Sequence, residues 1–486
     1  MANTPEHVEV LIIGAGLSGI GAAHHLQTAF PGLSYAILEA RDTLGGTWDL
    51  FRYPGIRSDS DMFTLGYRFR PWLGEKAIAD GDSILRYLRD TAAEAGIDRR
   101  IRYGHRVVSA GWSADAGQWT VTAEVAGAPV TFTAGLLYCC AGYYRYDQGH
   151  TPEFAGTERF AGPIVHPQHW PQDLEVDGKR VVIIGSGATA VTLGPSLAKL
   201  GAHVTMLQRS PSYILAAPAR DKINARLRQF LPPRAAYALT RAKNVSYTTA
   251  LYQLTQRYPE RMKAWMRGLQ ERWLPDGYDL DTHFTPSYDP WQQRLCLAPN
   301  GDFFRAIRKD TLDIVTDRID TFTETGIHLE SGADLPADIV VTATGLDLLM
   351  FGGLTLSIDG VPLDPATTMA YKAMMLSGVP NFVFVMGYTN ASWTLKADLV
   401  SEFTVRLLRH MRNHGYASVT PQPDPAVERA PYMTNFNPGY IQRSAATLPA
   451  QGDRHPWRLH MNYLLDVPLL RYGRITDRAL RFARAA

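Results

Sequence analysis

The chain has 486 residues, 45% of them hydrophobic and 20% charged, with a formal net charge of +2. That length is too great for one ordinary core and predicts two or three lobes. The apolar share excludes a disordered or fibrous chain, and the near-neutral charge gives no general footing for a nucleic-acid partner. Three cysteines, Cys139, Cys140 and Cys296, include no CxxC pair, so neither a dithiol redox site nor a zinc knuckle is supported and no metal is expected. Cys139 and Cys140 sit in the apolar run 135–142, which reads as a buried strand. No basic-then-apolar leader precedes Val8 and no apolar run reaches the ~18 residues of a bilayer span, so a soluble cytoplasmic protein is expected.

From the N-terminus, Val8–Ile13 reads as a strand. Gly14-Ala15-Gly16-Leu17-Ser18-Gly19 follows, a helix runs to about Gln27, and Tyr35–Leu38 is a second strand ending in Glu39. A GxGxxG between strand and helix, with an acid 25 residues after Gly14, is the pattern of a dinucleotide-binding βαβ unit. Gly14 permits the tight turn, Gly16 lets the backbone approach a pyrophosphate, and Gly19 lets the helix lie close to the strand. Glu39 is placed to accept hydrogen bonds from ribose hydroxyls. The pattern returns at Arg180: the strand Val181–Ile184, then Gly185-Ser186-Gly187-Ala188-Thr189-Ala190, a helix to about Leu200, and the strand His203–Leu207. The second unit ends in Gln208-Arg209-Ser210 where the first has Glu39. An arginine beside a hydroxyl attracts a ribose 2′-phosphate that a carboxylate would repel. The first cradle is therefore expected to take FAD (or NAD) and the second NADPH, with Ser186 and Thr189 meeting the nicotinamide pyrophosphate.

Between Pro211 and Trp291 helical periodicity appears, as in Arg220–Phe230 and Tyr258–Trp273, and residues 220–272 carry twelve Lys or Arg against three Asp or Glu. This predicts a helical insertion over 211–291 in the second domain, a lid or access wall. Its charge is read as a solvated basic face in preference to a membrane or anionic-partner surface, and weak peripheral membrane contact stays open. Strands resume at Leu312–Val315 and Asp338–Thr342. The fold expected is α/β: two Rossmann-like domains, the first of residues 1–150 and 383–486, the second of 151–382.

Just before the second cradle, Phe160, Gly162, His166, Trp170 and Pro171 stand in the spacing FxGxxxHxxxWP. This resembles the fingerprint of the Baeyer–Villiger monooxygenases, class B flavoproteins. The N-oxygenating flavin monooxygenases usually have tyrosine at the Trp170 position. Residues 45–48 and 52–59 resemble the family's flavin-lining segments. Residues 371–381 and 387–395 resemble the ethionamide-activating branch, which oxidises ketones and also sulfides and thioamides.

The resemblance implies FAD and NADPH as cofactors, Ser18, Gly46, Thr47, Trp48, Asp59 and Val107 among the cofactor-binding positions, and a C4a-peroxyflavin that acts on a ketone or sulfide with molecular oxygen. It places the active-site arginine at Arg294 and the carboxylate that orients it at Asp59. It gives His166 a role in coupling the domains rather than in proton transfer. An arginine suits this work because it stays protonated and presents several donors. One position departs from the family: many relatives have lysine before the active-site arginine, and Gln293 stands there, leaving Arg209 to carry most of the NADPH preference. A sulfur- or nitrogen-oxygenating enzyme with little ketone activity is the nearest alternative. An NADPH oxidase and a nucleotide-binding sensor stand further off, and a disulfide reductase is disfavoured by the missing CxxC.

Overall fold

A computed structural model describes residues 5–434 and 436–484. The first sheet is built around the long strand Ala128–Cys139. Along one edge it pairs in parallel with Glu6–Ile13, which pairs with Tyr35–Leu38 and then Ile101–Arg102. Along the other edge its first half meets the antiparallel Gln118–Val125, and its last residues pair in parallel with Phe382–Phe384. Glu6–Ile13 alternates exposed and buried at its start and is buried on both faces at its end, as a parallel strand covered by helices should be. The helix Leu17–Ala29 packs on the long C-terminal helix Trp393–His414. The second sheet has five parallel strands in the order Leu312–Thr316, His203–Gln208, Arg180–Ile184, Ile339–Thr342, Ile164–Val165. A two-stranded ribbon, Tyr144–Gly149 with Leu346–Leu348, bridges the two bodies.

One expected domain limit needs correcting. The chain does not wait until 383 to return to the first body: Thr355–Ile358 already pairs with Arg106–Ser113 in the first sheet, and Val361–Leu363 pairs with it. Met369, Tyr371 and Met374 join the first body's core. The insertion is not all helix. It contains a strand, Ile214–Ala217, paired with Cys296–Pro299, and its helices run Lys222–Phe230, Pro233–Arg257, Pro259–Glu271 and Leu280–Phe284. The longest of these is latched to the first body. Arg241 is buried and donates to the carbonyls of Phe63 (2.8 Å) and Gly66 (2.8 Å), and Asn244 donates to Asp61 (2.7 Å). The burial of this guanidinium is offset by the carbonyls that accept from Nη1 and by the Asp398 carboxylate 3.6 Å from Nη2, which among the described residues makes no hydrogen bond.

Candidate active site

Both glycine motifs open on one cleft of about 1320 Å³. Ordinary small-molecule pockets reach roughly 1000 Å³, so the space suits more than one ligand. The cleft lies at the carboxyl ends of the strands, the usual ligand position in such sheets. The first motif contributes Gly14, Gly16 and Ser18, and the second Gly185, Ser186 and Thr189. Gly14 has φ +97, and a Cβ there would stand 2.7 Å from the Cys140 carbonyl oxygen. Gly185 has φ +133, and a Cβ there would collide with the Ala343 carbonyl. Gly19 does not reach the cleft; its missing Cβ would collide with the Gly14 carbonyl, so it serves helix–strand approach alone.

Neither helix that follows a motif has a side-chain cap: Leu17–Ala29 starts after Gly16 and Ala188–Lys199 after Gly187, with no acid in either first turn. Their free N–H groups are a ready site for phosphate. Arg41 lines the same cleft, and among the described residues its buried Nε has no partner. These features fit a dinucleotide at each cradle.

The strand ends differ as the sequence indicates. Glu39 is buried and accepts from the backbone N–H of Ala15 at 2.7 Å and of Arg41 at 3.0 Å. Burial raises its pKa above the usual carboxylate value despite those bonds. Arg209 and Ser210 are exposed at the cleft. Ser186 turns its hydroxyl to the Ser210 carbonyl at 3.1 Å and to Ser212 at 2.8 Å. Gly46, with φ +56, brings its backbone against Gly16, and Thr47, Trp48 and Val107 line the adjoining wall. Ser18 accepts from the Trp393 indole N–H at 2.8 Å.

Arg294 and Asp59 meet in this cleft although 235 residues separate them. The guanidinium Nη2 donates to Asp59 Oδ2 in a short contact, and Nη1 donates to the Thr389 carbonyl at 2.9 Å. Burial works against the charge of Arg294, but Asp59 and the hydroxyls of Tyr440, Tyr143 and Tyr144 outweigh it and hold the pKa above the ordinary arginine value. Among the described residues the remaining N–H donors of Arg294 have no partner, so they can meet a ligand. Gln293, beside it, also lines the cleft.

The fingerprint residues stand apart from the cleft. Phe160 is buried in the second body's core. Gly162 is required where a Cβ would strike the Asp338 carbonyl. Trp170 packs on the core that also holds Leu50, Phe51 and Tyr53 of the first body. His166 lies against Gly149 of the bridging ribbon. Its Nδ1 accepts from the Gln168 N–H at 3.2 Å, which leaves the proton on Nε2 to meet the Gly345 carbonyl at 3.2 Å. Pro171 follows at the end of this turn, half-buried.

Sequence reasoning overlooked the aromatic wall. Tyr143 and Tyr144 hold their hydroxyls 3.0 Å apart, and Tyr143 stacks on Trp393 at 5.2 Å. Tyr146, Tyr388 and Tyr440 also line the cleft. The signal available was position: Tyr143 and Tyr144 follow Gly142 just past the end of the central strand. Among the described residues no group of three or more His, Cys, Asp or Glu side chains is arranged to hold a metal, and the three cysteines are buried thiols.

Comparison with known proteins accords with this geometry. Residues 77–352, more than half the chain, match the model of the flavin-binding monooxygenase-like family, and residues 12–71 match an NAD(P)-binding Rossmann-like domain. The chain is 58% identical over 481 residues to the FAD-containing monooxygenase EthA of Mycobacterium tuberculosis, covering 99% of this chain and 98% of that one. The chain belongs to the flavin-binding monooxygenase family. It is therefore a flavoenzyme and a monooxygenase, with a nicotinamide dinucleotide as its second cofactor. It is also 49% identical over 489 residues to the putative FAD-containing monooxygenase MymA of the same organism, covering 99% of this chain and 98% of that one. In fold it matches the NADP+-bound cyclohexanone monooxygenase of Rhodococcus sp. Phi1 with a TM-score of 0.76 at 18% identity, covering 99% of this chain and 100% of that one.

Proposed function

We propose that this monooxygenase is of the Baeyer–Villiger type: it uses FAD in the first cradle and NADPH in the second, converts ketones to esters or lactones, and also oxidises sulfides to sulfoxides. The observation that carries this reading is the Arg294–Asp59 pair, set in a cleft that both glycine motifs share. Bound flavin supplies the hydride-accepting and oxygen-activating chemistry.

The chain's residues hold and shape that chemistry. Glu39 receives the ribose hydroxyls of the flavin dinucleotide, and the uncapped helix start at Gly16 receives its phosphates. Arg209 and Ser210 receive the 2′-phosphate of NADPH. Asp59 and the Thr389 carbonyl each accept a hydrogen bond from Arg294, which fixes the guanidinium plane and leaves its other donors for the cleft. A ketone under attack develops negative charge on its oxygen, and a fixed cation stabilises that charge more than it stabilises the neutral ketone. Tyr143, Tyr144 and Trp393 form an aromatic wall of the cleft against which bound cofactor and substrate would displace water.

The substrates are small organic molecules and dioxygen. Such an enzyme draws NADPH from the cytoplasm, the compartment to which this reading assigns it. Among the described residues no helix is long and apolar enough to cross a membrane. The test is a panel of cyclic and linear ketones and aryl sulfides, supplied with NADPH and oxygen and followed to identified products. Lactone or ester formation matched to NADPH consumption is expected. Sulfoxides or N-oxides with no ester from any ketone would overturn the Baeyer–Villiger assignment.

A further inference from the structure

The basic insertion carries an amphipathic helix whose apolar stripe faces away from the protein. In Lys222–Phe230 one residue is buried, Asn224, and its amide donates to Thr240 Oγ1 at 2.9 Å. Asp221 caps the helix, accepting from the N–H groups of Ile223 and Asn224 at 2.9 Å each. The inward contact is thus polar. Ile223, Leu227 and Phe230 fall at i, i+4 and i+7, a single stripe on a helix. Ile223 is 54% exposed and Phe230 79%, with Leu227 half-buried between them. Leu73, 55% exposed, lies beside the same helix, since Arg228 donates to its carbonyl at 3.0 Å. A stripe of this kind is normally what a helix buries. Left outside as a cluster, it marks a surface that meets something apolar.

Charge narrows the choice of partner. From Lys222 to Arg257 there are seven Lys or Arg and no Asp or Glu. Lys243 is paired with Asp221, and Arg220 nearby with Glu75. Lys222, Arg226, Arg228 and Arg234 are exposed and, among the described residues, have no carboxylate within ion-pair distance. Apolar side chains set among unpaired cations complement a surface that is anionic at its face and hydrocarbon beneath. Solvation alone accounts for the cations but not for Ile223 and Phe230.

We propose that Lys222–Phe230, with Leu73 beside it, docks the enzyme on the surface of an anionic phospholipid bilayer. The helix lies in the interface plane. Ile223, Leu227 and Phe230 enter the boundary between headgroups and acyl chains, and the four cations meet lipid phosphates.

The test floats flavin-loaded, full-length enzyme with vesicles of phosphatidylcholine containing about one-third phosphatidylglycerol, and with vesicles of phosphatidylcholine alone, at low and high salt. Co-flotation with the anionic vesicles is expected, weakened by salt and lost without the anionic lipid. Ile223→Ser with Phe230→Ser should lower the partition constant at least about tenfold, and Arg226→Glu with Arg228→Glu should remove the preference for anionic lipid. Both variants should keep wild-type flavin content and NADPH oxidation in vesicle-free solution, because none of these residues lines the cleft. Wild-type enzyme that stays unbound with anionic vesicles at low salt overturns the proposal. So does an Ile223→Ser, Phe230→Ser variant that floats as before, or one whose only change is a smaller oligomer in solution, which would make a second copy of the chain the occupant.

Discussion

The two glycine cradles share a plan and differ in how closely the chain is packed around them. At the first, the third motif residue is Gly19, where a Cβ would collide with the Gly14 carbonyl; at the second it is Ala190, whose side chain is fully buried without conflict. At the second motif position a Cβ on Gly16 would meet the Gly46 backbone at 3.6 Å, whereas a Cβ on Gly187 would have nothing within 4 Å. Glu39 is 6% exposed and bonded to its own motif, while Arg209 is exposed at the cleft mouth. The two motifs differ at one fixed letter, Gly19 against Ala190, and the closer packing goes with the glycine. A close-fitted cradle suits a cofactor that stays, and an open one suits a cofactor that arrives and leaves each turnover.

The comparison is tested most severely where the two cradles converge. Arg294→Ala should leave flavin reduction by NADPH intact and lower the rate of ketone oxygenation by about 10²–10³, the range for loss of one preorganised oxyanion donor. Sulfide oxidation should fall less, because no oxyanion develops on that substrate. Stopped-flow reduction beside product yield separates the two. Equal losses for ketone and sulfide would mean the guanidinium serves cofactor placement rather than carbonyl activation.

A smaller effect distinguishes the cradles by packing. Gly19→Ala forces the helix off the strand and should cost about 1–3 kcal/mol of stability, the scale of overpacking, with a matching loss of bound flavin. Gly187→Ala, at the middle glycine of the open second cradle, should leave the thermal midpoint nearly unchanged and raise the Michaelis constant for NADPH, since its methyl enters open cleft. Similar melting for the two variants would remove the packing distinction.

Both cradles were legible in the sequence because everything that makes them is local: strand, glycine turn, helix and the residue at the next strand's end. The pairing of Arg294 with Asp59 was reachable only through a family resemblance, since no periodicity links positions 235 apart. The aromatic wall was not legible. It depends on Trp393 and Tyr143 arriving together, which follows from Phe382–Phe384 pairing beside the last residues of Ala128–Cys139. The early return at Thr355 was hidden for a related reason: strands of four and three residues, Thr355–Ile358 and Val361–Leu363, are too short to show a period. Arg241 counted in the sequence as one more basic residue of the insertion, and only burial reveals it as the latch to the carbonyls of Phe63 and Gly66.

At the second cradle alone, Arg209→Ala should weaken NADPH by about 1.5–3 kcal/mol, roughly ten- to a hundredfold in Michaelis constant. The constant for NADH should hardly move, because NADH has no 2′-phosphate. With Gln293 in place of a second cation, little selectivity should remain in the variant. If Lys at position 293 (Gln293→Lys) sharpens selectivity in the wild type but fails to restore it in Arg209→Ala, then Arg209 is the anchor and position 293 only assists. An unchanged NADPH constant in Arg209→Ala would refute its assignment to the phosphate.

The smallest effect lies in the joint between the cradles. Burial lowers the pKa of His166 below 6.5, against the pull of the Gly345 carbonyl and with help from His169 and His150. Its Nδ1 is an acceptor in the fold, so a second proton there breaks the bond from the Gln168 N–H. The unfolded chain takes that proton more readily. The contribution of His166 to stability is therefore fully present above pH 6.5 and is lost as pH falls through the lowered folded value. His24 and His283 are shifted in the same direction, so overall acid sensitivity is not diagnostic of this joint. The difference between wild type and His166→Asn is. Between about pH 7.5 and pH 5.5, the thermal midpoint of the wild type should drop further than that of the variant, which has no proton to gain at this position. Equal drops would mean that the ribbon between the two bodies does not feel the charge state of His166, and that the joint is held by Gly162, Phe160 and Trp170 packing alone.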